Sequence, residues 1–276
     1  MASPAAWSVL FASGLLLLQG CAAPPKRPPD PAAADFRRQV DPVAPILHRG
    51  SDAMARYYDR RPPARLGALT RRVLESLQRT ARAVEREVPV VDGAAVAAAR
   101  EICRGLPAEG PPPAGLVEFA MRSHGLVEPP PHMVIGDLPP GSEEGIDEGL
   151  RGQFEQVLQR GDYSRVGLAL CFPRPTPRRR RLVVALIESH LRFSPIPRAW
   201  QLGERRDLRL TLRERFSGVR LVIADPRGRV DERPMKPAGD ELLGSVRCER
   251  RGVYRVEVVA QGRFGSEVLA LSLIHI

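Results

Sequence analysis

Gly252-Val253-Tyr254-Arg255-Val256-Glu257-Val258 reads as a β-strand, and it stands late in a run of short strand-like segments that decides the C-terminal architecture. Those segments fall at 208–212, 219–223, 228–235, 241–248, 253–260 and 267–269, with turn residues between them. Asp225-Pro226-Arg227-Gly228 is the plainest turn: the proline presets the first bend and the glycine accepts a positive φ. Short strands at this spacing predict an antiparallel β-sandwich over residues 205–270.

Upstream the texture is mixed. Residues 164–172 and 182–193 read as two strands joined by a proline- and arginine-rich tip at 173–181, which suits a hairpin loop. A helix is expected over 146–160, with Leu150, Phe154, Val157 and Leu158 inward and Gly161 as its stop. Leu116, Phe119 and Ala120 outline a shorter helix ended by Gly125. Asp92 offers an N-cap to a helix over 94–104 that Gly105 closes, and the prolines at 129–131 with His132 read as a rigid loop. Residues 46–89 predict a helical hairpin broken at Pro62-Pro63. In its second half Leu66, Leu69, Val73, Leu77, Ala81, Val84 and Val88 form a stripe opposite Arg71, Arg72, Arg79 and Arg86. Core packing is the ordinary use of such a stripe, and lying on a membrane surface is the alternative. The fold class expected is α+β: a helical, α-β-α sandwich-like domain at 90–200, then the sandwich.

Five resemblances sharpen this reading. Leu15-Leu16-Leu17-Leu18-Gln19-Gly20-Cys21 follows a short apolar run and resembles the lipobox of bacterial lipoproteins. That resemblance implies a signal peptide at 1–20, a lipid on the Cys21 thiol, and a Pro/Ala-rich tether at 21–45 lifting the folded body off the membrane. With Ala22 next to the cysteine it implies the outer membrane. Gly161-Asp162-Tyr163-Ser164-Arg165-Val166-Gly167 resembles the Gly-His-Tyr-Thr-Gln-Val-Val signature of the CAP superfamily of secretory, antigen-five and pathogenesis-related proteins, with Asp162 where that family has histidine. That family folds as an α-β-α sandwich. More broadly, residues 90–270 resemble the region preceding the CAP domain in large envelope proteins of myxobacteria-like organisms, which implies a CAP domain further along. Gly252 to Val258 is similar to a late strand of an immunoglobulin-like domain, with Tyr254 at the place of the tyrosine corner. Residues 271–276, Leu-Ser-Leu-Ile-His-Ile, back-translate to a sequence resembling the mosaic-end adapter of transposase-made libraries. They are read as an artefact, with the natural chain expected to run on past residue 270.

The chain has 276 residues, is 43% hydrophobic and 5% aromatic, and after the signal has no second apolar run of membrane-spanning length. Its net charge is +10, and of 42 basic residues only Lys26 and Lys236 are lysines. A basic surface attracts polyanions. Export excludes nucleic acid as the partner and leaves the anionic sugars and lipids of an envelope, or simple solvation. Of four cysteines, Cys21 is assigned to lipid. Cys103, near a helix end, and Cys171, near a strand end of the same domain, are expected to pair, leaving Cys248 free.

Chemistry is thinly specified. No Cys-x-x-Cys pair or His pair at helical spacing is present, so no metal site and no cofactor are expected. His124, Glu128 and His132 could converge around the proline loop, but a histidine before a helix-ending glycine is commonly a polar end-cap. Glu188 and His190 sit two apart on one expected strand face, where solvent-face pairing is the plainer account than acid-base work. Arg178, Arg179, Arg180 and Arg181 form a candidate anion clamp, since guanidinium groups bind phosphate and carboxylate bidentately. The expected function is a lipid-anchored envelope protein that binds or scaffolds without catalysing. The rivals are an envelope hydrolase and a binder of anionic polysaccharide or lipid.

Overall fold

The computed structural model describes residues 56–58, 65–107, 110–138, 145–172, 180–213, 216–263 and 265–276. Among these lie four helices: α1 (Ala68–Ala83), α2 (Gly93–Gly105), α3 (Ala114–Ser123) and α4 (Ile146–Leu158). The first half of the chain also holds the strands β1 (Arg56–Tyr57), β2 (Val90–Val91), β3 (His132–Leu138), β4 (Arg165–Cys171) and β5 (Arg180–Ile187). The rest is strand: β6 (Leu191–Phe193), β7 (Ile196–Pro197), β8 (Arg205–Leu212), β9 (Ser217–Ala224), β10 (Val230–Pro234), β11 (Lys236–Ala238), β12 (Glu241–Arg247), β13 (Val253–Gly262) and β14 (Gly265–His275). The chain is therefore mixed α+β. No helix among the described residues is long and apolar enough to cross a membrane.

The first sheet has the order β2-β4-β5-β3, parallel only between β2 and β4. It is covered on both faces, which explains why β5 is apolar without alternation. Leu182, Val184 and Leu186 pack with Val73, Leu77 and Ala81 of α1 and with Leu150, Phe154 and Leu158 of α4. Val183, Ala185 and Ile187 point the other way, onto Ala95, Ala99 and Ile102 of α2 and Val117 and Met121 of α3. The apolar stripe of α1 is thus core packing, while Arg71, Arg72, Arg79 and Arg86 stay exposed. The helix ends follow the residues read for them. Asp92 Oδ1 accepts the Ala95 N–H at 2.9 Å, and Gly125, at φ +78°, turns the chain after α3.

The second half forms two antiparallel sheets, β11-β12-β8-β6 and β10-β9-β13-β14. One core joins them: Leu191, Phe193, Leu208, Leu210 and Val246 from the first sheet meet Leu221, Ile223, Val256, Val258, Leu269 and Ile274 from the second. Alternation along β13 is clean, with Tyr254, Val256 and Val258 buried and Val253 and Arg255 exposed. The Tyr254 hydroxyl accepts the Arg250 N–H at 2.9 Å, which ties the start of β13 to the preceding corner.

Several expectations need correction. The strand read over 182–193 is two strands in different sheets: the chain breaks at Glu188-Ser189-His190, because Ser189 turns into a buried polar cluster, and β6 joins β8. Leu191, Phe193, Ile196 and Trp200, ahead of residue 205, pack in the core of the second body. His132 opens strand β3, paired throughout with β5, rather than ending a loop. Of the hairpin read over 46–89, Arg56–Tyr57 is a strand on Ile196–Pro197 and α1 is the one helix among the described residues. Residues 271–275, whatever their origin, pair as the second half of β14, opposite Val253 to Glu257. The signal peptide, Cys21 and the tether lie outside the described residues, as do Arg178 and Arg179.

Candidate functional site

A buried polar cluster lies where the two bodies meet. Asp92 stands at the start of α2, Glu128 after α3, Arg165 at the start of β4, and Ser189 at the break after β5. Arg165 is 4% exposed and Glu128 1% exposed, so every charge here must be met internally. The Arg165 guanidinium donates to Asp92 Oδ2 at 3.0 Å, to Glu128 Oε1, and through Nε to Ser189 Oγ at 3.3 Å. Ser189 Oγ donates to Glu128 Oε1 at 3.0 Å, and Glu128 Oε2 takes the Val127 N–H at 3.1 Å. The Tyr58 ring lies 5.4 Å from the guanidinium carbon, and its hydroxyl donates to the Leu191 carbonyl at 3.0 Å. One cation holds two carboxylates in fixed directions.

Further bonds cross the same boundary. Tyr57 donates its hydroxyl to Leu273 O at 2.8 Å and accepts the Leu273 N–H at 3.2 Å. Arg122, on α3, donates to Leu271 O at 2.7 Å and to Leu126 O at 3.0 Å. Burial pulls its pKa below the ordinary arginine value, with Tyr57 and Glu118 opposing. Arg198 donates to Ser123 O at 2.9 Å while its guanidinium lies 5.2 Å from the Tyr57 ring. Leu271 N–H donates to Val127 O at 2.6 Å. Arg56-Tyr57-Tyr58, the first described segment, is therefore stitched into the seam between both bodies.

An open cleft of about 580 Å³ lies beside this seam, lined by Glu87, Asp162, Ser189, Arg192, Thr211 and Arg213. Arg213 reaches Glu87 across it at 3.4 Å, and Asp162 pairs with Arg86 at 3.1 Å. Asp162 thus serves a surface ion pair at the position where the resemblance puts a histidine. Tyr163 beside it is buried, and its phenol is pushed up in pKa by burial and by Glu188.

The residues singled out in the sequence scatter. Glu128 turns into the buried cluster, whereas the His132 ring sits 6.0 Å from that of Tyr163. No group of three or more His, Cys, Asp or Glu among the described residues is placed to hold a metal. His190 Nε2 stands 3.9 Å from Glu188 Oε1, and its ring meets the edge of Phe216 at 5.4 Å. The Ser189 hydroxyl next door is committed to Glu128 and Arg165, so it is not an activated nucleophile. Of the expected anion clamp, Arg181 is bonded within the body. Its Nε and NH2 hold both oxygens of Asp137 at 2.7 and 3.2 Å, and NH1 donates to Pro107 O at 2.6 Å, which leaves it occupied internally. Cys103 and Cys171 are joined, with Cα atoms 5.9 Å apart, and Cys248 is free and buried. Arg165, Ser189 and Tyr58 were not singled out as functional. The one signal available was an arginine at an inward position of an otherwise apolar strand. No family model matches the chain, and no curated protein does either.

Proposed function

We propose that the chain is a lipid-anchored protein of a bacterial cell envelope, attached through Cys21, that scaffolds or binds rather than catalyses. The observation that carries the scaffolding role is the seam. Tyr57 and Tyr58, which follow the tether, bond to backbone of the second body and stack on Arg165 and Arg198. A segment at 56–58 that lies between two bodies and grips both would hold them as one strut above the surface. The strand order β11-β12-β8-β6 against β10-β9-β13-β14, with the Tyr254 hydroxyl on the Arg250 N–H, supports an immunoglobulin-like sandwich. Helices on both faces of the first sheet support the α-β-α likeness to the CAP superfamily, and with it the reading that this is the part preceding a CAP domain. The rival reading, an envelope hydrolase, finds less support, because the Ser189 hydroxyl is committed to Glu128 and Arg165.

Fractionation tests the anchor. The wild-type chain should partition with outer membranes, and Cys21→Ala should leave it in the soluble periplasmic fraction. Unchanged membrane partition and processing in the variant would overturn the anchor. Limited proteolysis tests the strut: a resistant core running from about residue 56 through the second body is expected, and early separation near 188–190 into two stable pieces would refute it.

A further inference from the structure

The second body carries a cleft of about 370 Å³, lined by none of the seam residues described above but by Arg205, Arg229, Arg233, Arg247 and Arg250 with Asp225, Asp231 and Glu249. Five guanidinium groups face three carboxylates there. Asp231 is taken by Arg233, whose Nε lies 2.7 Å from Oδ2. Glu249 and Arg247, like Asp225 and Arg250, approach only to 3.6 Å, beyond hydrogen-bond distance, so both arginines keep N–H groups free for another acceptor. Arg205 and Arg229 have no acidic partner among the described residues. Arg205 and Arg247 also stand directly opposite one another across β8 and β12, a like-charge pairing that destabilises a bare sheet.

The rim of this cleft is built rather than loose. Asp225 Oδ1 accepts the N–H groups of Arg227 at 2.8 Å and Arg229 at 2.9 Å, which fixes the β9–β10 turn. Tyr254 holds the Arg250 backbone, as above. Gly252, at φ +130°, lets the corner close on Pro226, whose side chain a Cβ there would meet at 2.6 Å. Turn and corner are thus locked together, which fixes the backbone that carries Arg229 and Arg250 at the cleft.

We propose that this cleft binds a phosphate-bearing anion. Guanidinium groups bind phosphate bidentately, and two unpaired arginines flanked by two loosely paired ones match an anion of more than one negative charge. The volume suits a group no larger than a phosphorylated sugar or a phospholipid head. The site stands apart from the anchor at Cys21, so it survives or fails independently of that reading.

The test titrates the full chain with inorganic pyrophosphate, and separately with phosphatidylcholine vesicles with and without phosphatidic acid. Saturable pyrophosphate binding is expected, weakened by about tenfold or more in Arg205→Gln/Arg229→Gln and little changed in Arg71→Gln/Arg72→Gln, which removes the same charge from α1. If the source of the phosphate is a lipid head, phosphatidic acid vesicles also bind and pyrophosphate displaces them. If the source is soluble, pyrophosphate binds and the vesicles do not. Equal losses in the two double variants would reduce the effect to net charge and overturn the site, as would failure of the folded wild-type chain to bind either probe.

Discussion

Arg165 shows what a buried charge does in this molecule. Its three donor nitrogens are directed at Asp92, Glu128 and Ser189, so removing the guanidinium would leave two carboxylates buried with no cation between them. Arg165→Met should therefore destabilise by about 3–5 kcal/mol, read as a drop in the urea midpoint. Adding Glu128→Gln to that variant should recover part of the loss, because it deletes one of the stranded charges; no recovery would mean the guanidinium acts by shape alone. Cys248 gives a second test at this scale. Burial, with Glu204 adding to it, pushes its thiol up to about 11 from an ordinary 9.0. The folded chain then holds the proton more tightly than the unfolded one. Stability should be intact below pH 9 and decline as pH rises toward 11, and Cys248→Ala should flatten that decline. Sequence reasoning reached Asp92 as a helix cap but not as a ligand of Arg165. A cap is a local signal, whereas the cluster is assembled from four segments up to 97 positions apart, Asp92 to Ser189.

At the scale of elements, α2 and β4 pack backbone to backbone. A Cβ on Gly167 would overlap the Ala95 carbonyl and stand 2.9 Å from the Val96 nitrogen, so the helix backbone rests on the glycine itself. The alanines at 94, 95, 98 and 99 permit that approach. Gly167→Ala should cost about 1–3 kcal/mol or more, since backbone cannot step aside as a side chain can. Gly136→Ala on β3, where nothing lies within 4 Å, should be neutral or mildly stabilising in the same thermal melts. Most elements were legible because each signal is local: a cap, a stop, an alternating run. β3 was hidden by its neighbours, three prolines before it and Gly136-Asp137 within it, both poor strand signals. The break at Ser189 was hidden for a different reason. Residues 182–193 carry strand-forming texture throughout, and the bonds of the Ser189 hydroxyl to Arg165 and Glu128, which lie at the break, join segments far apart in sequence.

For the whole molecule, the question is what couples the two bodies. Leu271 and Leu273 contribute main-chain atoms to the seam: Leu271 O takes Arg122, Leu271 N–H reaches Val127, and Leu273 meets the Tyr57 hydroxyl with both its groups. These bonds depend on a strand being present at β14, not on which side chains it carries. The adapter-like reading of 271–276 and the strand pairing are thus compatible, because any continuation with strand geometry and an apolar residue at 274 would serve. Deleting residues 271–276 should strip half of β14, expose the edge of β13 from Val253 to Glu257, and unlink the seam at Arg122 and Tyr57. Calorimetry should then show either loss of the cooperative transition or its division in two. Leu271→Val/Leu273→Thr preserves every one of these main-chain bonds and should melt as a single transition close to the wild type. If that double variant failed as badly as the deletion, the coupling would lie in the leucine side chains rather than in these main-chain bonds.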